Sequence, residues 1–137
     1  MEQAEALERL ARTRIGRFAT SGPDDGPHVV PVTFTVVGTA LVHMVDHKPK
    51  TTYRLKRILN LEDEARASLL VDHYNEDWET LWWVRVDGLT TVVSSGPEWE
   101  IARAALADKY PQYVEAPPDG PAIYLSMDRV TSWESTN

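Results

Sequence analysis

Five cations stand within fifteen residues of this chain. The stretch His47–Leu61, HKPKTTYRLKRILNL, holds Lys48, Lys50, Arg54, Lys56 and Arg57 and no carboxylate. The full 137 residues carry 14 Lys and Arg against 21 Asp and Glu, a net charge of −7, so over a third of the cations sit in this one stretch. Positive charge concentrated on an acidic protein has a direct chemical use, the capture of a phosphate or carboxylate. The segment reads as a strand end, a Pro-containing loop and a helix over Tyr53–Leu61, with Thr51 or Thr52 as its N-cap. On a helical wheel Leu55, Ile58 and Leu59 share one face, and Lys50, Arg54 and Arg57 line another. No acidic residue follows to close a capping box. The first-turn amides, the threonine hydroxyls, Lys48 and Lys50 are therefore placed to converge on an external anion. The competing reading is a solvated charged face of a surface helix, and the charge contrast with the rest of the chain weighs against it.

Other chemistries are not signalled. The sequence has no GxSxG, HExxH, P-loop or GxGxxG pattern. His28, His43, His47 and His73 fall in different elements without metal spacing, and there is no cysteine, so no metal site is expected. Asp72 and Asp77 flank a turn and define no acid–base pair. The net negative charge argues against nucleic-acid binding. No apolar run approaches the roughly 20 residues of a membrane span, and MEQAEALERLAR reads as a charged amphipathic helix and not as a signal peptide. One cytoplasmic domain over residues 1–137 is the expectation.

The elements that must position the basic stretch follow from periodicity. Glu2–Arg12 reads as a helix with Ala6, Leu7, Leu10 and Ala11 on its buried side. Ile15–Thr20 is a strand ended by the turn SGPDDGP. His28–Val37 alternates, with Val30, Val32, Phe34 and Val36 on one face, and Pro31 belongs at an edge, at a bulge or beside a ligand because it cannot donate to a ladder. Gly38-Thr39 turns into a returning strand, Ala40–Asp46. Beyond the basic helix, Ala65–Asp72 alternates as a strand. Leu81–Ser94 is the longest strand, with Gly88 as a bulge or bend. Pro97–Tyr110 is a helix with Ser95 as N-cap, PQYVEAPPDGP is irregular, and Ala122–Trp133 closes the chain as one bent strand. Six consecutive strands with about three helices and no βαβ rhythm predict a mainly β protein, an antiparallel barrel decorated by helices.

Three tryptophans, Trp78, Trp82 and Trp83, lead into the longest strand. There Trp82, Val84 and Val86 face one way, and Trp83, Arg85 and Asp87 the other. One face fills the interior of a small barrel, and the other then needs cover. Trp and Arg are enriched at interface hot spots, so Trp78, Trp82, Trp83 and Arg85 are expected to line a dimer or substrate groove in a homodimer.

Taken together, the helix, the GPDDGP turn, the PVTF strand, the hairpin, the DHKPK…LKR loop-helix, the ARASLLVDHY strand and the DWETLWWVRVDG strand resemble a known family. They are similar to the pyridoxamine 5'-phosphate oxidase-like (PPOX class) split β-barrel flavoproteins, and most similar to their F420-dependent branch. The resemblance covers roughly Leu7–Trp133, and DHKPK and DWETLWWVRVDG are its most specific parts. It implies a six-stranded split β-barrel, a homodimer, and two cofactor sites in grooves between subunits. The cofactor's tricyclic ring would lie beside Pro31, Val32 and Thr33, and its phosphate and acidic tail would meet Lys48, Lys50, Lys56 and Arg57. It further implies an F420-dependent oxidoreductase that passes a hydride to an electron-poor alkene, quinone or nitro compound, and no side chain need act as nucleophile. FMN or a tetrapyrrole in the same site, or a carrier that binds F420 without turnover, are the alternatives. FMN carries one phosphate and needs fewer cations than F420 with its polyglutamate tail, which favours F420.

The basic stretch yields a first prediction. If Lys50 touches the cofactor phosphate, Lys50→Ala removes a charge-assisted hydrogen bond, and affinity falls roughly ten- to a hundred-fold. The melting temperature without cofactor stays level or rises, because like charges surround Lys50. Unchanged affinity in a titration of the purified variant would remove Lys50 from the site.

Overall fold

The computed structural model describes residues 1–23, 26–46 and 56–136. Among them are eight strands and four α-helices: α1 (Gln3–Arg12), β1 (Gly16–Gly22), β2 (Gly26–Val32), β3 (Thr35–Val37), β4 (Ala40–Met44), α2 (Lys56–Asp63), β5 (Arg66–His73), β6 (Trp82–Val93), α3 (Pro97–Lys109), α4 (Gln112–Glu115), β7 (Ala122–Ser126) and β8 (Arg129–Glu134). The strands pair antiparallel in the order β2-β1-β5-β6-β7-β4-β3, with β8 also on β6. The sheet is not closed, and β2 and β3 are its two ends.

The six expected strands become eight because two of them break. His28–Val37 divides into β2, which pairs with β1, and β3, which pairs with β4. The cause is a pair of α3-end side chains that take over the backbone of Phe34. Its N–H donates to the Tyr110 hydroxyl (3.1 Å) and its carbonyl accepts from Lys109 Nζ (2.9 Å). The same hydroxyl lies 2.9 Å from the Phe34 carbonyl and 2.8 Å from that of Arg14. A backbone satisfied by side chains has no need of a ladder. The face assignment survives the break: Val32 and Phe34 are buried, and Val30 and Val36 pack against the core.

The second break lies in Ala122–Trp133. Asp87 pairs with Arg129 and Thr90 with Leu125, so Gly88 and Leu89 face the three residues Ser126, Met127 and Asp128. This is a β-bulge. The amide of the extra residue, Met127, turns away to the Thr39 carbonyl (3.0 Å). Gly88 stands as expected at the bend, and the reason is contact: a Cβ built there would sit 1.8 Å from the Ser126 carbonyl oxygen.

The helices cover the inner side. In α1 only Ala6 and Leu10 are buried, while Leu7 and Ala11 stay exposed, because the helix meets β6 and β8 along one narrow ridge. In α2, which packs on β1, Ile58, Asn60 and Leu61 are buried, whereas Leu59, placed on one face with Ile58, is exposed; Leu55 lies outside the described residues. Asn60 donates to Thr20 Oγ1 (3.0 Å). The N-cap of α3 is Gly96 at φ 98°, not Ser95, with Pro97 in the first turn. The segment expected to be irregular contains α4. The main core joins Phe18, Leu69, Val84, Val86, Ile123 and Leu125, and a second cluster packs Ala102, Leu106 and Tyr110 against Val42, Met44 and Ala122. No helix among the described residues is long and apolar enough to cross a membrane.

The bulge makes Gly88 a stability test. Gly88→Ala drives a methyl group into backbone that cannot step aside without parting β6 from β7. The expected cost is roughly 3 kcal/mol or more. Urea or thermal denaturation of the variant measures it, and a loss within experimental error would mean that the strands separate there without penalty.

Candidate functional site

The residues foreseen for chemistry divide among three places. Lys48, Lys50 and Thr51 lie outside the described residues. Lys56 and Arg57 form the first turn of α2, both half-buried. Pro31, Val32 and Thr33 stand at the end of β2, an end strand of the sheet, where the missing N–H of Pro31 costs no ladder bond. Pro31 is exposed, Val32 points into the core, and Thr33 is half-buried at the junction with β3.

A polar chain runs from the end of β2 through Tyr113 to Asp46. Thr33 Oγ1 lies 2.7 Å from the Tyr113 hydroxyl, which donates to Asp46 Oδ1 at 2.7 Å. Thr33 is then the donor of the first bond, since the Tyr113 hydrogen is committed to the carboxylate. Burial, with the Asp46 charge beside it, pushes the Tyr113 hydroxyl up to about 12. Asp46 in turn acts on Arg57, whose guanidinium is lowered by burial and raised by that carboxylate. Arg57 Nε is buried and has no hydrogen-bond partner.

His43, whose charge state Arg57 influences, is 3% exposed, with its ring edge-on to Phe18 at 4.5 Å. Burial, and then the Arg57 charge, bring its pKa down to about 3, so the imidazole is neutral. Its Nε2 also lacks a partner. The neutral ring adds neither a second cation nor a counter-charge to Arg57. The arrangement is suited to an anion arriving from outside, a phosphate or a carboxylate.

The other foreseen residues lie on β6 and before it. Trp82 packs on the core side, with the Arg9 guanidinium 5.1 Å from its ring centroid and His73 stacked against it at 6.2 Å. Trp83 and Arg85 are on the outer face, 5.9 Å apart as cation and ring, and Arg85 bonds Asp87 at 3.2 Å. Trp78, in a 3-10 turn over Trp78–Thr80, is two-thirds exposed, at 67%. A cavity of about 830 Å³ opens elsewhere on this face, lined by Ala19, Ser68, Asp87, Gly88, Asp128 and Arg129 among others. None of the foreseen residues among the described ones lines it.

Sequence reasoning missed Asp46, Tyr113 and His43 as parts of the site. Asp46 stands directly before the basic stretch, and an acid in that position is the one signal that was available. Tyr113 carries none, because its partners are 67 and 80 residues away.

Residues 2–134 match the pyridoxamine 5'-phosphate oxidase family. No curated protein matches the chain. Among solved structures, a conserved hypothetical protein of Mycobacterium tuberculosis superposes with TM-score 0.80 at 20% identity, covering 98% of this chain and 85% of that one. A heme binding protein of Mycobacterium smegmatis gives TM-score 0.77 at 24% identity, with 97% of this chain covered and 54% of that one, so this chain spans about half of that relative. A FAD-binding protein of Mesorhizobium loti gives TM-score 0.70 at 21% identity, with 96% and 92% covered. At such identities the likeness is one of fold, whereas the family match spans nearly the whole sequence. The chain belongs to the pyridoxamine 5'-phosphate oxidase family and has its split-barrel fold, with an open antiparallel sheet.

Proposed function

We propose that this chain is an F420-dependent oxidoreductase acting on an electron-poor alkene, quinone or nitro compound. The observation that carries this reading is Arg57, half-buried with an unpartnered Nε, in the one stretch of an acidic chain where five cations gather. When bound, the reduced deazaflavin supplies the hydride, and the protein supplies position and electrostatics.

The chain's residues have distinct tasks in this reading. Lys56 and Arg57 hold the phosphate side of the cofactor, with Lys48, Lys50 and Thr51 completing the set. Pro31, exposed and without an N–H, offers a flat apolar surface for the ring at the end of β2. Val32 contributes only its backbone there, because its side chain is buried in the core. The FAD-binding relative supports a tricyclic ligand on this fold. Haem, carried by the Mycobacterium smegmatis relative, finds less support here, since His43 is sealed at 3% exposure.

The outer sheet face favours a homodimer in which such a site gains its second wall. Trp83 pairs across the ladder with Trp133, which is 46% exposed, and Val29 is 59% exposed on the same side of the sheet. Large apolar groups set beside Arg85 and Arg17 on one face have the composition of an interface core and rim.

Two predictions test the reading. Fluorescence titration at equal ionic strength will show F420 bound more tightly than FMN, with affinity weakening as salt rises. FMN affinity equal to or above that of F420 would reverse the assignment. Light scattering at micromolar concentration will give the mass of a dimer, and a folded, cofactor-binding monomer would refute it.

A further inference from the structure

The proposed cofactor site leaves one polar contact without a task. Tyr113 brings a hydroxyl from α4 between Thr33 and Asp46, with both bonds at 2.7 Å. Neither partner is local; the preceding end of α3 is anchored to Phe34 through Tyr110 and Lys109. Asp46 is also the acidic residue that directly precedes the basic stretch, which itself contains none.

We propose that Tyr113 is a positioning residue: by holding the Asp46 carboxylate against α4, it keeps Arg57 open to an incoming phosphate or carboxylate. The proposal rests on the anion-site reading of Arg57. A carboxylate beside a guanidinium forms a strong, often bidentate pair when both are free to turn, and such a pair occupies the donors an external anion would use. That collapse has not occurred. Arg57 Nε has no hydrogen-bond partner, while Asp46 Oδ1 accepts from Tyr113. The hydroxyl is held in turn by Thr33, so its hydrogen has one direction to go. Asp46 still acts on Arg57 through space and supplies counter-charge to a half-buried cation. The two residues divide the work: the carboxylate makes the cation tolerable, and the tyrosine keeps it from being consumed.

The test is a double-mutant cycle on the full chain, with pyrophosphate and F420 as probes. Tyr113→Phe frees Asp46 to pair with Arg57, so affinity for both probes should fall by roughly tenfold, the scale of coupling within one polar network. Asp46→Asn removes the competitor and should bind at least as tightly as the wild type. The double variant should match Asp46→Asn, because Tyr113 then has nothing to restrain. Equal loss from Tyr113→Phe in both backgrounds indicates a structural role and overturns the proposal, as does an unchanged affinity for Tyr113→Phe alone. If Tyr113→Phe does not fold, Asp46→Asn alone decides, and a tenfold weaker affinity than wild type overturns the proposal. A wild type that binds neither probe defeats the anion-site reading itself, which is a different result from wild-type binding that ignores Tyr113.

Discussion

The side-chain capture of the Phe34 backbone is the constraint on which the rest of the molecule depends. One strand-like sequence, His28–Val37, pairs with β1 only as far as Val32 and with β4 only from Thr35. Tyr110 and Lys109 instead satisfy both polar groups of Phe34, and the ammonium rests 4.1 Å from the Phe34 ring centroid. Burial, with Arg14 nearby, draws the Lys109 pKa down to about 8, a cost offset by carbonyls of Thr13 and Phe34 at 2.8 and 2.9 Å. Leaving a buried carbonyl or amide unpaired costs about 1–3 kcal/mol each. The capture therefore fixes where β2 ends, where β3 begins and how α3 lies on the second core cluster.

A complementary device operates on the other side of the molecule. The extra residue at Met127 lets one continuous antiparallel partner of β6 shift register as it passes from β7 to β8. The longest strand thereby serves both halves of the sheet: β5 and β8 flank its first half, and β7 pairs with its second. Bulges raise twist and bend a strand, and here the bend requires the absence of a side chain at Gly88. Two breaks of different chemistry, one made by hydrogen bonds and one by steric room, turn six strand-like sequences into an open eight-stranded sheet.

This division explains what the sequence could and could not tell. The inward faces of β5 and β6 were legible, because alternation is a local property and Leu69, Val71, Val84 and Val86 obey it. Gly88 was legible for the same reason, as a glycine in the middle of a strand pattern. The break at Phe34 was not, since its causes lie 75 and 76 residues away. The site shows the same split. Charge contrast found the stretch containing Lys56 and Arg57 without any three-dimensional knowledge, but composition has no term for a tyrosine that arrives from α4. The extra buried positions claimed for Leu7 and Ala11 failed because a hydrophobic wheel measures the width of the stripe and not that of the surface it meets.

On the proposed reading, burial and charge have to be balanced within a single turn of helix. An acidic chain repels anions at long range, but at physiological salt that field fades over about 8 Å. Capture then depends on donors at contact, and a half-buried guanidinium is screened far less than an exposed one. Burial that strengthens the cation toward an anion also makes it costly when none is present, which is why burial lowers the Arg57 pKa. A carboxylate in full contact would remove the cost and the function together. Asp46 acting from a distance, with its oxygen bonded to Tyr113, meets the first need without abolishing the second. The neutral His43 adds no second positive charge to the cost of burying Arg57. One cation so placed can therefore matter more than its share of the net charge suggests, and the helix that anchors Phe34 also places the tyrosine on which that balance rests.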